Sequence, residues 1–215
     1  MKRELVSFDD LGINPALSKV LAAQGITSPF PIQTATLPDA ISGRDVLGRG
    51  QTGSGKTLAF GLAMLTRLAG RRAKPHQPLG LVLAPTRELA MQIQDSLSPL
   101  MAAVNLKSRL SAGGMPYGQQ IQALRSGVPI LIATPGRLID LMERGDVRLG
   151  STEIVVLDEA DQMADMGFLP AMKQILDTCK PGGQRLLFSA TLDKGVGRLV
   201  NAYLREPVNH SVDTG

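Results

Sequence analysis

Short apolar runs alternate along this chain with longer stretches whose apolar residues recur at helical spacing. The runs fall at 46–47, 79–83, 108–110, 130–132, 154–157 and 186–188, with a final one near Val208. The amphipathic stretches lie near 56–68, 88–97, 117–124, 138–142, 169–178 and 195–203. A short run with no polar alternation suits a strand covered on both faces. Strands of that kind alternating with helices predict an α/β domain, a mostly parallel twisted sheet with helices on both faces. In such sheets ligands sit outside the carboxyl ends of the strands. The polar clusters described below fall at those ends.

The first 40 residues follow another pattern, with helical stretches at 15–23 and 32–40 and no apolar run between them. They predict a helical flank over residues 1–41, packed on a main unit over 42–215. Residues 71–78 form a basic, proline-containing segment that reads as a solvated connector.

Composition narrows the class. The 215 residues are 43% hydrophobic, which is enough for a well-buried core. Lys plus Arg is 23 and Asp plus Glu is 19, a net charge of +4 that suits a phosphate-bearing partner. Aromatics are 3% and Trp is absent, so a nucleic-acid grip would rest on the sugar-phosphate backbone rather than on base stacking. The lone Cys179 has no partner for an internal disulfide and reads as a buried small side chain. No stretch approaches the ~20 apolar residues of a membrane helix. Met1 to Asp10 holds no apolar leader, and the expectation is a cytoplasmic protein.

The sharpest chemical signal follows the first apolar run. Gly50-Gln51-Thr52-Gly53-Ser54-Gly55-Lys56-Thr57 matches the phosphate-loop pattern, with a strand before it and a helix after. Glycines let backbone N–H groups converge on phosphate oxygens without a Cβ in the way. The following helix turns its positive end to the same anion. Lys56 is the cation for the β and γ phosphates, and the Thr57 hydroxyl is a ligand for Mg²⁺. Gly48, Gly50 and Gly53 also fit a dinucleotide fingerprint. That alternative needs an acid ~20 residues on to hold a ribose. From Val46 to Arg87 there is no Asp or Glu.

The apolar run 154–157 closes on Asp158-Glu159-Ala160-Asp161. A strand ending in a carboxylate is how such ATPases hold their metal, so Asp158 is the candidate Mg²⁺ holder and Glu159 the base that orients water. The run 186–188 closes on Ser189-Ala190-Thr191. If those two strands are neighbours, both hydroxyls could hydrogen-bond Asp161 and couple the nucleotide to a distant surface.

Together these residues resemble the DEAD-box RNA helicase family of superfamily 2, from about Phe8 to Thr191, with the motifs in the family's order. The resemblance implies a RecA-like fold and an ATP-dependent RNA helicase using ATP and Mg²⁺. Gly25 to Gln33 resembles the family's Q motif, which implies that Gln33 reads adenine and that Phe8 stacks on the base, with core packing as the competing reading of Phe8. Pro85-Thr86-Arg87, Gly113-Gly114 and Thr134-Pro135-Gly136-Arg137 resemble the family's RNA-contacting motifs. Thr134 and Thr86 read as helix N-caps, and Arg87 and Arg137 as forks for phosphate or for acidic neighbours.

Phe30 and Gly50 depart from the family's usual Thr and Ala, and Ile26 stands where an aromatic is common. The family's engine has two RecA-like domains, the second supplying arginines to the transferring phosphate. No His-Arg-rich motif of that second domain follows Thr191, so the expectation is an amino-terminal motor domain, monomeric by itself, with single-stranded or duplex RNA and a second RecA-like domain as partners. The alternative is a standalone ATP-dependent RNA-binding module without unwinding.

Overall fold

The computed structural model describes residues 6–50, 55–193 and 195–211. The chain opens with a 3-10 turn, Asp9–Leu11, then helices α1 (Pro15–Ala23) and α2 (Pro31–Ile41). There follow β1 (Val46–Arg49), α3 (Lys56–Leu68), β2 (Gly80–Leu83), α4 (Arg87–Ala103), β3 (Ser108–Ser111) and α5 (Tyr117–Ser126). Next come β4 (Ile130–Ala133), α6 (Pro135–Glu143), β5 (Ile154–Leu157), α7 (Ala160–Asp165) and α8 (Leu169–Thr178). The last elements are β6 (Gln184–Ser189), α9 (Val196–Tyr203) and β7 (Val208–Ser211).

Among the described residues the strands form one sheet in the order β3-β4-β2-β5-β6-β1-β7. Every pairing is parallel. This is the α/β architecture that the apolar pattern predicts. Its runs lack alternation because both faces are covered. Val46, Val82, Ile132, Val156 and Leu186 join the core on the side of α1 to α4. Their strand neighbours Leu47, Leu81, Leu131, Val155 and Leu187 join the core beneath α6 to α9. Successive side chains point to opposite faces, so each residue of a central strand must be apolar. Gly48 is the exception on β1. A Cβ there would lie 2.6 Å from the Phe188 ring, so only glycine admits that ring across the ladder.

The amino-terminal helices pack on the sheet's first core layer, α1 against α4 and α2 against α3. Buried polar groups tie the elements together where the pattern of apolar residues predicts nothing. The Gln184 amide donates to the carbonyls of Ala40 and Arg44, each at 2.7 Å. The Asp45 carboxylate accepts from the backbone N–H of Arg185 at 2.8 Å and of Arg205 at 2.7 Å. Leaving such a buried group unmatched costs about 1–3 kcal/mol.

Helix α7 shows no helical period in the sequence, because its six residues are too few to display one. The 71–78 segment is the largely exposed connector expected between α3 and β2, and it is anchored along its length. His76 N–H donates to Leu124 O at 2.9 Å, Arg148 N–H donates to His76 O at 2.8 Å, and Arg71 forms a two-pronged pair with Glu153. A Cβ on Gly127 would lie 2.5 Å from Ala73 O, so this segment is seated directly on the α5–β4 turn.

Cys179 is buried and donates its thiol to Ile175 O at 3.2 Å; burial pushes its pKa up to about 11. Among the described residues no helix is long and apolar enough to cross a membrane.

Candidate functional site

The strand order divides the carboxyl edge of the sheet into two halves. The ends of β5, β6 and β1 are neighbours, and so are the ends of β3, β4 and β2. The phosphate-loop, acidic and Ser-Ala-Thr motifs occupy the first half. The Pro-Thr-Arg, Gly-Gly and Thr-Pro-Gly-Arg motifs occupy the second. Motifs interleaved along the chain are thereby sorted into two clusters in space.

In the first half, Gln51, Thr52, Gly53 and Ser54 lie outside the described residues. Gly55 precedes α3 with a left-handed φ of 83°, and Thr57 is half-buried on the helix's first turn. The position is closed to any side chain, since a Cβ would lie 2.4 Å from the Phe30 ring and 2.6 Å from the Gln33 amide nitrogen. Gln33 donates to Gly55 O at 2.9 Å and accepts from Phe30 N–H at 2.9 Å. Its amide therefore ties the Q motif to the phosphate loop. It is 1% exposed, not held open toward a base. Phe8, expected to stack on adenine, lies in the core at 4% exposed, which is its packing alternative. The exposed ring beside the loop is Phe30, at 56%. Its departure from the family pattern was visible in the sequence; its contact with Gly55 was not.

Lys56 and both motif carboxylates meet. The Lys56 Nζ lies 3.1 Å from Asp158 Oδ1 and forms a hydrogen-bonded pair with Glu159 Oε1. Burial pulls the Lys56 pKa down, but the two carboxylates outweigh it and hold the amine above its ordinary value. Asp158 moves the other way from its partner's pull: burial raises its pKa beyond what Lys56 can offset. Asp158 Oδ1 is buried, and the Lys56 ammonium at 3.1 Å is the one partner beside it among the described residues. A buried carboxylate oxygen held only by a lysine that phosphate would draw away is a hard donor suited to Mg²⁺, so the residues fit the metal. Glu159 has a left-handed φ of 55°, uncommon for a residue with a side chain, and this conformation opens α7 directly after the strand.

The raised Asp158 pKa has a consequence for stability. The folded domain holds this proton more tightly than the unfolded chain, so ionised Asp158 weakens the fold. Its favourable contribution is complete below the ordinary carboxylate pKa and is lost as pH rises through the raised one. Urea titrations across acid pH should find Asp158→Asn gaining on the wild type as pH rises through that window. A stability difference independent of pH would contradict the direction of the shift.

Asp161 meets the end of the neighbouring strand, as the expected strand pairing requires. β5 pairs with β6. The Asp161 N–H donates to Ser189 Oγ at 3.2 Å, and Thr191 Oγ1 donates to Asp161 Oδ2 at 3.5 Å. Ser189 Oγ donates in turn to Thr191 O at 2.5 Å. Only Thr191 therefore reaches the carboxylate; Ser189 holds the backbone.

In the second half, Pro85 is buried, and Thr86 caps α4 by accepting from Leu89 N–H at 3.2 Å. Arg87 is exposed and lies near Gly114, whose φ is 82°. The Thr134 hydroxyl does not cap α6 as expected; it accepts from Gly113 N–H at 3.3 Å instead. That leaves the α6 start, Pro135-Gly136-Arg137, without a side-chain cap and with Gly136 exposed. Arg137 forms no ion pair with a described acid, and one prong of its guanidinium is taken by neighbours. It donates to Met115 O at 2.8 Å and Gln120 Oε1 at 3.2 Å, with its guanidinium 3.9 Å above the Tyr117 ring. These bonds brace the Gly-Gly loop of β3 against α6, building an edge of uncapped N–H groups and exposed glycines.

Residues 30–199 match the family model of the DEAD/DEAH box helicases. The chain belongs to that family. It is 46% identical over 201 residues to the rice protein named DEAD-box ATP-dependent RNA helicase 9, covering 92% of this chain and 32% of that protein. It is 44% identical to ATP-dependent RNA helicase DBP2 of Scheffersomyces stipitis, over 95% of this chain and 39% of that one. It is 43% identical to DEAD-box ATP-dependent RNA helicase 9, mitochondrial, of Arabidopsis thaliana, over 93% of this chain and 33% of that protein. The chain thus spans about a third to two fifths of these DEAD-box relatives' length. Its parallel sheet with helices on both faces is a RecA-like domain of this family, and the literal Asp-Glu-Ala-Asp at 158–161 sits at the end of a central strand.

Proposed function

We propose that this chain is the amino-terminal motor domain of an ATP-dependent RNA helicase. It binds Mg-ATP on the β5-β6-β1 half of the carboxyl edge and the backbone of single-stranded RNA on the β3-β4-β2 half. The observation that carries this reading is the meeting of Lys56, Asp158 and Glu159 beside the phosphate loop. Mg-ATP supplies a phosphoryl group whose transfer to water is driven by positioning and charge stabilisation. Lys56 exchanges its carboxylate partners for phosphate oxygens. Asp158 and Thr57 would be the residues to hold Mg²⁺, which would neutralise charge on the phosphates. Glu159 orients the attacking water. Thr191 and Ser189 tie Asp161 to the end of β6, so a change at the acidic strand end is passed to that neighbouring strand.

Coupling to local unwinding needs a second RecA-like domain closing over the same edge. Closure bends the bound strand, which a duplex cannot follow. An RNA-binding module without unwinding shares every residue named here and differs in having no such second domain. RNA would be selected through 2′-hydroxyl contacts.

The two halves of the edge make the reading testable. Arg87→Ala should weaken single-stranded RNA binding about tenfold or more in the presence of a non-hydrolysable ATP analogue, the scale of a charged hydrogen bond. Mg-ATP affinity without RNA should stay within about twofold. Fluorescence anisotropy and calorimetry read the two separately. Equal loss of both, or of neither, would refute the division of labour.

A further inference from the structure

The amino-terminal edge of the sheet, opposite the site above, carries a basic groove. Lys107 stands directly before β3, Glu153 directly before β5 and Lys180 shortly before β6. The 71–78 segment crosses beneath them. Two adjoining cavities of about 740 and 410 Å³ share Arg71 and Arg72. Lys107 lines the first, and Lys74, Lys180 and Glu153 line the second.

Charge there is one-sided. Glu153 is the one carboxylate lining these cavities, and it is taken by Arg71 at 2.6 and 3.0 Å. Arg72, Lys74, Lys107 and Lys180 are exposed and form no ion pair with a described residue. A run of surface cations is ordinarily a solvated face. This one differs because its backbone is fixed by the bonds of His76 and the seat of Ala73 on Gly127. A fixed backbone leaves only side-chain freedom to be lost when an anion arrives.

From β3 to β6 the sheet order crosses β4, β2 and β5. At about 4.8 Å per strand that is roughly 19 Å. That span is long enough for a nucleic-acid strand to set more than one phosphate along it. No Phe, Tyr or Trp lines either cavity, so the groove offers nothing for base stacking or for a protein anchor.

We infer that this floor is a second, sequence-independent RNA-backbone site, built to hold a flanking part of the RNA engaged at the carboxyl edge. The inference rests on the RNA reading above. The floor shares no residue with the nucleotide site, so its grip is independent of ATP.

The test is anisotropy titration of a labelled RNA of about 20 nucleotides, without nucleotide, between about 50 and 200 mM salt. The triple variant Arg72→Gln, Lys74→Gln, Lys107→Gln removes exposed charges only, and a thermal melt checks its fold. Each lost phosphate contact should flatten the log–log salt slope by about 0.7, so the triple variant should lose about 2 and bind at least tenfold more weakly at low salt. Glu153→Gln frees Arg71 and should bind about threefold more tightly. An unchanged slope in the triple variant, or no gain from Glu153→Gln, would overturn the floor site. If Arg87→Ala alone removes RNA binding and only with the ATP analogue present, the carboxyl-edge reading stands and the floor fails. If RNA binding without nucleotide responds to the floor variants but the analogue never adds to it, the floor stands and the carboxyl-edge reading fails.

Discussion

Replacing Lys56 by alanine is expected to weaken Mg-ATP binding by about a hundredfold or more, below detection in an ordinary calorimetric titration. Contacts between a charged amine and phosphate are worth about 1.5–3 kcal/mol each in net terms, and Lys56 serves more than one phosphate in the phosphate-loop arrangement. The substitution has a second effect. In the folded domain Lys56 is the counter-charge of Asp158 and Glu159. Removing one member of a buried ion cluster costs about 3–5 kcal/mol, because the remaining charges lose their partner.

That cost requires ionised carboxylates, so it should be largest near neutral pH and shrink on acidification. Burial has already pushed Asp158 toward its protonated form, which limits the loss. Denaturant melts at two pH values separate the folding effect from the binding effect. Lys56→Arg keeps the charge and should recover most of the stability. It should not recover binding, since a planar guanidinium does not replace a compact ammonium in a backbone cradle. Wild-type affinity in folded Lys56→Ala would remove this lysine from the phosphate site.

The second large effect concerns residues 1–215 taken by themselves. Arginines supplied to a transferring phosphoryl group raise turnover by about 10³–10⁵. Among the described residues the nucleotide half carries Arg49 at the end of β1, a strand residue laddered to Ser189 and Ser211 and so fixed in the sheet rather than delivered by domain closure. RNA-stimulated ATP hydrolysis by residues 1–215 should therefore be lower by about that factor than hydrolysis by the same residues joined to a second RecA-like domain. Phosphate release measured with saturating RNA compares the two. Equal rates would mean that the acidic strand end and Lys56 suffice, and the helicase reading would give way to a self-contained ATPase.

Much of the fold and part of the site could be read from residue order. Strands buried on both faces must be apolar at successive positions, so 154–157 and 186–188 announce themselves without a structure. The phosphate loop is legible for a related reason. Its chemistry depends on backbone N–H groups in a short contiguous stretch, so glycine, lysine and threonine must stand at fixed spacing. The Asp158–Asp161 motif shares that property.

Commitments made across the chain were not legible. Sequence places Arg137 at a helix start, where it reads as a phosphate fork; the packing of α5 against α6 also gives it Met115 O and Gln120. Gln33 carries a donor and an acceptor suited to adenine; the fold brings Gly55 O and Phe30 N–H to both. The anchors of the 71–78 connector, Leu124, Gly127, Arg148 and Glu153, are remote from it in sequence.

Local periodicity and contiguous motifs by themselves determined the parallel sheet, the phosphate loop and the acidic strand end. Strand order decided the rest, since it sets which strand ends are neighbours. It put Asp161 beside Ser189, split the carboxyl edge into two chemical halves and drew the unpaired cations of the floor into one groove. A side chain's partner depends on distance in space, and parallel crossovers make that distance unrelated to separation along the chain.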